Sequence, residues 1–284
     1  MGVSKEIKMI CSILKINEAK LAFELGVTFE TVNHWKNNRK EIDESNLEKL
    51  YSFAYNNGIK FNNIYEQLYK EDFNDASNVV LFHGAKDEFT LPINFNEHSK
   101  KNNDFGVGFY LGETFEQAAN YISFLDLFYV YCFKLNLRNL KTYKFDVNNE
   151  WMIAIAYFRG WIDEYSNCGF VKKILNKISD CDVLIAPIAD NRMFDIIAEF
   201  VEGEITNEQC KHSLAATNLG YQYVLKTNKA IENTQFVKKM FVCQKEKEKC
   251  NQNKASLLNT GLQKVKIARI EYKGKGKYME ELLK

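Results

Sequence analysis

The chain has 284 residues, roughly twice the length of a typical domain, which predicts two domains. Hydrophobic residues make up 46% and charged residues 26%, a balance that excludes disorder, collagen and coiled coil as its main character. Lysine and arginine number 38 against 37 acidic residues, so no whole-protein field favours nucleic acid or a membrane as a partner.

The N-terminus and the cysteines indicate a compartment. Residues 1–10 mix charged and apolar side chains and lack the apolar stretch of a signal peptide, and no apolar run is long enough to span a bilayer. The seven scattered cysteines form no C-x-x-C pair, which favours reduced thiols in a cytoplasm. His98 and His212 lack partners at metal-ligand spacing. We therefore expect a cytoplasmic protein with no disulfide framework and no metal.

Helical periodicity dominates the first 70 residues, and we assign residues 1–72 to an all-α domain. A predicted helix over Glu18–Leu25 meets a turn at Gly26, and a second helix over Phe29–Asn38 begins after Thr28, a good N-cap. This is the organisation of a helix-turn-helix.

The stretch from Ala19 to Asn37 resembles the Cro/repressor-type family. The shared features are an Ala in the first helix, a Gly at the turn, a Val three residues before a Trp, and a basic loop. The resemblance implies that the second helix and the loop after it bind DNA through Phe29, Glu30, Thr31, Asn33, His34, Lys36, Arg39 and Lys40.

Charge does not decide this interpretation. Residues 1–70 hold ten basic and nine acidic side chains, whereas neutralising several phosphates usually requires a larger excess of positive charge. The alternative is a module that docks a protein partner. The pattern, and not the charge, favours DNA.

A polar run at Asp72–Asn78 marks the expected start of a second, mixed domain, residues 73–240. Its strands and helices do not alternate regularly, so a doubly wound parallel sheet is not expected and the predicted class is α+β. Strands are predicted at Val79–Phe82, Phe128–Leu137, Cys181–Ile188 and Tyr221–Lys226, and helices near Phe115–Phe124, Asn148–Trp161, Met193–Val201 and Asn207–Ala216.

The chain turns basic from Lys226, within the end of this domain, with 14 Lys and one Arg against six Glu from Lys226 to Lys284. We expect residues 241–284 to form a solvated basic extension that is flexible around Lys273–Lys277. Binding of RNA or DNA, and packing onto the preceding domain, are the alternatives.

Three segments carry the residues suited to chemistry: Val80–Ala85, Phe105–Tyr121 and Gly220–Val224. A His followed by Gly at a strand end is often only a core histidine before a turn. Gly106–Gly112 nearly matches the dinucleotide motif G-x-G-x-x-G. However, its third Gly falls one place late and a polar loop, not a strand, precedes it, which excludes Rossmann-type binding.

Taken in order, the segments resemble the ADP-ribosyltransferase fold, in the branch of diphtheria toxin and the poly(ADP-ribose) polymerases. That branch has His-Gly at a strand end, then Gly-x-Gly-x-Tyr before a helix that carries a second Tyr eleven residues on, and finally an acid followed by Tyr on a late strand. The segments are also similar to a poorly characterised group of bacterial proteins with Phe-Gly-x-Gly-Phe-Tyr-Leu and Gln-Tyr-Val. The resemblance spans roughly residues 77–230 and implies a split β-sheet domain that uses NAD as its substrate.

The resemblance implies a role for each matching residue. His83 would bond a ribose hydroxyl of NAD, and the backbone of Gly84 would approach the nicotinamide carboxamide because no Cβ blocks it. Tyr110 and Tyr121 would sandwich the nicotinamide ring, and residue 222 would contact the ribose 2′-hydroxyl.

Two further positions are assigned to NAD binding in the same way. Gly108 belongs to the glycine motif. Ser99 lies in the loop Asn94–Asp104, which is expected to cover the adenosine side.

Gln222 departs from the pattern, because the family has Glu there. An amide keeps an acceptor for the hydroxyl but loses the charge that would stabilise an oxocarbenium, a loss on the order of 10² in rate. Chain elongation is therefore not expected, whereas single transfer is. Glu202 and Glu204, in the loop after a predicted helix, are candidates for a substitute carboxylate.

The sequence thus predicts a mono-ADP-ribosyltransferase (a glycosyltransferase reaction) that modifies a protein or nucleic acid and is localised by its N-terminal module. By analogy, this arrangement suggests a bacterial toxin or defence effector. Two alternatives stay open. One is a DNA-binding regulator whose degenerate domain senses NAD, and the other is an NAD glycohydrolase, which needs water access and no acceptor.

Overall fold

The computed structural model describes residues 2–88, 91–99, 103–125, 128–189, 191–216 and 219–284, without the side chains of residues 191 and 254–261. It has an N-terminal helical region and a seven-stranded sheet, so the chain is α+β as predicted.

The N-terminal region consists of helices α1 Val3–Leu14, α2 Glu18–Leu25, α3 Phe29–Lys36, α4 Glu44–Asn56 and α5 Phe61–Phe73. The predicted bounds of α2 are confirmed, and α3 ends two residues before its predicted end. Gly26 turns the chain between them at φ +65°, a conformation in which glycine carries no steric penalty. The predicted cap is also confirmed, since the Thr28 side chain accepts a hydrogen bond from the Thr31 N–H at 3.2 Å.

The sheet has the strand order β4-β5-β6-β2-β1-β3-β7, and only β4 and β5 pair in parallel. The strands are β1 Asn78–Ala85, β2 Phe109–Gly112, β3 Tyr129–Asn136, β4 Thr142–Lys144, β5 Val183–Pro187, β6 Tyr221–Leu225 and β7 Thr234–Met240. The four predicted strands are β1, β3, β5 and β6. Of the others, β2 and β4 are very short and β7 is an edge strand with two lysines, so none shows a strong apolar pattern.

The remaining helices lie between and after the strands. They are α6 Phe95–His98, α7 Phe115–Ile122, α8 Asn149–Phe158, α9 Gly169–Ser179, α10 Asn191–Val201, α11 Asn207–Ala215, α12 Asn228–Glu232, α13 Gln244–Glu271 and α14 Met279–Leu283. The predicted helices correspond to α7, α8, α10 and α11. Helix α7 begins with a capping box formed by Thr114 and Gln117, which fixes its first turn directly after β2.

Alternate residues of β1 pack into different cores. Val80 and Phe82 join the N-terminal helices and α7 in one apolar cluster, while Leu81 packs with Phe109 and Phe133 in another. The N-terminal helices therefore share a continuous core with the sheet.

A buried carboxylate also ties these helices to the sheet. Glu6 of α1 is 2% exposed and accepts hydrogen bonds from the hydroxyls of Tyr51, at 2.8 Å, and Tyr65. Lys238 of β7 lies 3.4 Å from the same oxygen and gives the carboxylate a cationic partner. Removing one partner would leave a buried charge uncompensated, which is strongly destabilising.

The C-terminal extension packs on the preceding elements, which was one of the alternatives, and the expectation of a solvated extension is wrong. Helix α13 packs against α4, α7 and α11, and Val265 and Ala268 are buried. Near the end, the N–H of Asn207 donates to the Lys277 carbonyl at 2.8 Å, and the N–H of Lys277 donates to Asn207 Oδ1 at 2.7 Å. Although the segment near Lys277 is rich in lysine, its backbone is hydrogen-bonded to the start of α11. Amino-acid composition alone does not reveal this contact.

No helix in the described part of the chain is both long and apolar enough to cross a membrane, and the seven cysteines are free thiols.

Glu246 predicts how stability depends on pH. It lies in the first turn of α13, is 4% exposed, and accepts a hydrogen bond from Asn62 of α5 at 2.6 Å. Burial raises the pKa of Glu246 to about 7. The folded chain therefore holds a proton that the unfolded chain releases at lower pH, and the free energy of unfolding falls as pH rises from about 5 to 8, by on the order of 3 kcal/mol.

Glu246→Gln should flatten this part of the stability–pH curve, measured by urea unfolding between pH 5 and 8. Glu248→Gln, an exposed position on the same helix, is the matched control and should leave the slope unchanged. An unchanged slope in Glu246→Gln would contradict the assignment.

Candidate functional site

The three segments singled out in the sequence meet in the middle of the sheet. Strand β2 lies between β1 and β6, and Gly112 pairs with Phe82 on one side and with Gln222 on the other. Tyr110 pairs with Val224 of β6. Antiparallel pairing thus brings residues at least 110 positions apart in the chain, such as Gly112 and Gln222, into adjacent backbone positions.

His83 lies where β1 and β2 separate. Beyond the pair formed by Phe82 and Gly112, its Nδ1 lies 2.7 Å from the carbonyl oxygen of Tyr110. A carbonyl only accepts, so Nδ1 carries the proton, and Nε2 of the neutral ring is an acceptor. The ring also stacks on Phe109, with centroids 4.4 Å apart. The tautomer and the orientation of His83 are therefore both fixed by β2.

Tyr110 closes the loop before β2. Its hydroxyl donates to the Gly106 carbonyl at 2.8 Å and accepts from the Phe105 N–H at 3.1 Å. Burial raises the pKa of Tyr110, and the nearby Asp104 and Tyr121 raise it further. The hydroxyl consequently stays protonated and holds the loop against the strand.

Tyr121 is the second tyrosine of the pattern and lies on α7. It is 62% exposed, whereas Tyr110 is half-buried. The two tyrosines of the pattern therefore differ in their access to solvent.

The glycines of the pattern are required by close packing. A Cβ on Gly108 would lie 2.5 Å from Val224 of β6, and one on Gly84 would lie 2.5 Å from the Ala118 carbonyl of α7. Gly106 has φ +71°. At Gly84 the space a side chain would fill is thus occupied by α7, so this glycine sets how closely the Tyr121 helix approaches β1.

A carboxylate that the sequence analysis did not single out contacts Gln222. Gln222 is 9% exposed, and its Nε2 lies 3.2 Å from Asp104 Oδ2 and 3.4 Å from the Pro187 carbonyl. The other carboxylate oxygen of Asp104 accepts from Arg159 Nη2 at 2.8 Å. Burial raises the pKa of Asp104, while the bonds from Gln222 and Arg159 oppose that rise.

Lys226, directly after β6, holds the loop that carries Asp104. Its ammonium donates to the Phe105 carbonyl at 2.6 Å, and burial lowers the pKa of Lys226. Asp104 directly precedes the Phe-Gly-x-Gly motif, and this position is the one feature of the sequence that could have identified it as a site residue. Arg159 and Lys226 follow secondary-structure elements at positions with no motif.

Three other candidates lie apart from these contacts. Ser99 follows α6, and its hydroxyl is buried with no hydrogen bond in the described part of the chain; positions 100–102 of its loop lie outside the described residues. Glu202 and Glu204 are solvent-exposed after α10.

The residues predicted to bind DNA lie on α3 and the turn that follows. Phe29, Glu30, Arg39 and Lys40 are exposed. Inside this set, Thr31 bonds the Thr28 cap, the Asn33 side chain accepts from Asn37 at 2.7 Å, and His34 lies 3.9 Å from Glu30.

Lys36 is already neutralised within the module. It forms an ion pair with Glu18 of α2. Arg39 and Lys40 therefore provide the exposed positive charge of the predicted set.

Comparison with known proteins gives one match. The model of a family described as "Protein of unknown function (DUF3990)" matches residues 79–236, more than half of the chain. No curated protein and no solved structure matches. The chain belongs to the DUF3990 family, and the matched range contains the three segments that form the site.

Gly84→Ala tests the packing of α7 on β1. The added methyl would meet the rigid Ala118 carbonyl, so we expect a loss of about 1–3 kcal/mol in the free energy of unfolding. Gly169→Ala is the matched control, because a Cβ there meets nothing within 4 Å. Equal stability of the two variants in urea unfolding would contradict the prediction.

Proposed function

We propose that this member of the DUF3990 family is a mono-ADP-ribosyltransferase with an ADP-ribosyltransferase-like split sheet, using NAD to modify a protein or a nucleic acid. The observation that carries the proposal is the convergence of His83, Tyr110 and Gln222 on three adjacent strands, with Asp104 beside Gln222. His83 and Tyr110 match the pattern of the transferases, and Gln222 stands where that pattern has Glu.

The reaction needs little acid–base chemistry. The C–N bond between ribose and nicotinamide breaks, its electron pair leaves with nicotinamide, and positive charge builds on the ribose. A nucleophile of the acceptor then forms a bond to the same carbon and releases its proton to water. Positioning and electrostatic stabilisation therefore supply most of the catalysis.

The residues fit this substrate. His83 Nε2, an acceptor in the neutral ring, suits a ribose hydroxyl, and the exposed Tyr121 ring with Tyr110 suits an aromatic nicotinamide. The polar atoms of Gly84 lie on its backbone at the end of β1, beside His83. Gln222 Nε2 is held by two acceptors, so its Oε1 is the group left for the 2′-hydroxyl.

Single transfer is favoured over NAD sensing by the Asp104–Gln222 contact. A degenerate NAD sensor has no need of a buried carboxylate bonded to that amide. Elongation requires a base on the acceptor hydroxyl, which an amide does not provide.

The N-terminal helices are proposed to bring the transferase to DNA, through the exposed Arg39 and Lys40. Exposed Phe23 and Phe29 favour the second candidate for this module, docking of a protein partner, because large exposed apolar side chains are typical of protein interfaces. A toxin or defence role is an extension of the same proposal by analogy.

Labelled NAD tests the enzyme. Incubation with cell lysate should transfer label to a macromolecule, and His83→Ala and Tyr110→Ala should lower the rate by about 10²-fold or more, since each removes a positioning contact. His212→Ala, a half-buried histidine of α11, is the matched control and should keep the rate.

Two other outcomes of this experiment would contradict the transfer of ADP-ribose to a macromolecule. Free ADP-ribose without a labelled acceptor would indicate a glycohydrolase. If NAD raises the Tm of the protein but is not consumed, the protein is an NAD sensor and not an enzyme.

Nucleic-acid binding by the module is tested by fluorescence anisotropy with duplex DNA over a salt series. Arg39→Ala and Lys40→Ala should each weaken binding and reduce the salt slope by about 1, because each removes one phosphate contact. Lys36→Ala should have a smaller effect, since its charge is paired with Glu18. No binding by the unmodified protein at low salt would favour a protein partner.

A further inference from the structure

We propose that Asp104 is a positioning residue that restores, through the Gln222 amide, the negative polarity that a glutamate at 222 would supply. The inference rests on the proposed function and deepens it, because it assigns the source of oxocarbenium stabilisation in a site without the usual acid.

The hydrogen bonds decide which way the Gln222 amide points. Its two ends are an acceptor and a donor, and both neighbours at Nε2, Asp104 Oδ2 and the Pro187 carbonyl, are acceptors. The reverse orientation would set oxygen against oxygen twice. Oε1 is therefore directed away from Asp104, as an acceptor for a substrate hydroxyl.

A carboxylate that accepts from one end of an amide strengthens the other end as an acceptor. Hydrogen bonds in a chain polarise one another, more so in a low-dielectric interior. Asp104 bonded to Nε2 shifts electron density toward Oε1, so Gln222 binds a developing positive charge better than an isolated amide would.

Two donors beside Asp104 favour its ionised form and oppose the effect of burial, which raises its pKa. Oδ1 faces the guanidinium of Arg159 and Oδ2 faces the amide of Gln222, so each oxygen meets a donor. Arg159 is itself held over the Phe194 ring, 3.7 Å from its centroid. The Asp104 side chain is only 14% exposed, which keeps water from screening its charge.

The position of Asp104 is fixed by hydrogen bonds to the two residues that follow it. Lys226 holds the Phe105 carbonyl, and the Tyr110 hydroxyl bonds both Phe105 and Gly106. The loop therefore ties the carboxylate to β2 and β6, the strands that carry Tyr110 and Gln222. An ion pair with a purely structural role has no need for this link to the site.

Moving the negative charge from Asp104 to position 222 provides the test. Asp104→Asn should lower kcat for NAD consumption by about 10- to 100-fold while KM changes much less, because the lost charge acts on the transition state. The double variant Asp104→Asn with Gln222→Glu moves one carboxylate to β6 and should recover most of the rate, with the acidic limb of the pH profile displaced. Gln222→Glu alone sets two carboxylates about 3 Å apart, so the pair retains a proton and the rate should not rise.

Controls separate this effect from folding. Asp180→Asn, at an exposed ion pair with Lys141, should keep the rate. If Asp104→Asn lowers Tm, the variant that also carries Arg159→Gln removes the pair without leaving a buried unpaired charge, and should show the same loss of rate.

The outcomes distinguish this inference from the function on which it rests. Full activity in Asp104→Asn, or loss of rate that the exchange with Gln222→Glu does not recover, overturns the role of Asp104 and leaves the transferase standing. No NAD consumption by the unmodified protein or by any variant overturns the proposed function, and this inference with it.

Discussion

The pairing of β2 with both of its neighbours is the contact on which the rest of the structure depends. This four-residue strand joins β1 to β6, and so connects the half of the sheet that packs on the N-terminal helices to the half that packs on α8 and α10. Close approach here requires backbone without side chains. A Cβ at Gly108 would collide with Val224, so a larger residue would push β2 away from β6 and separate Tyr110 from Gln222.

Two buried carboxylates are each matched by several partners on different elements. Glu6 bonds two tyrosines and faces Lys238, which joins α1, α4, α5 and β7. Asp104 faces Arg159 and Gln222, which joins the loop before β2 to the end of α8 and to β6. Because an unpartnered buried charge is costly, such groups allow one arrangement of their elements and exclude neighbouring ones. The first network fixes the helical region on the sheet, and the second fixes the site.

Local apolar patterns predicted the elements that carry many apolar residues and missed those whose burial depends on distant partners. Helix α2 and strands β1, β3, β5 and β6 carry such patterns, as periodic or continuous apolar residues, and each was predicted near its observed position. Strand β7 carries Lys238 and Lys239, and α13 is rich in lysine, so both looked solvated. Their apolar residues, such as Met240 and Val265, are buried against segments far away in the chain, which local composition does not reveal.

The sequence by itself determined the elements with strong apolar patterns, the glycine turns and the identity of the residues in the three segments around His83, Tyr110 and Gln222. These features depend on the order of residue types along the chain, and short-range sterics translate that order directly into local structure. Only the tertiary structure decided that Asp104 contacts Gln222, that Lys226 holds the loop between them, and that the basic C-terminus is packed. Each of these contacts depends on the register of the strands and on the order in which they pair. Register and strand order are set by many weak interactions throughout the molecule, so no single segment of the sequence reveals them.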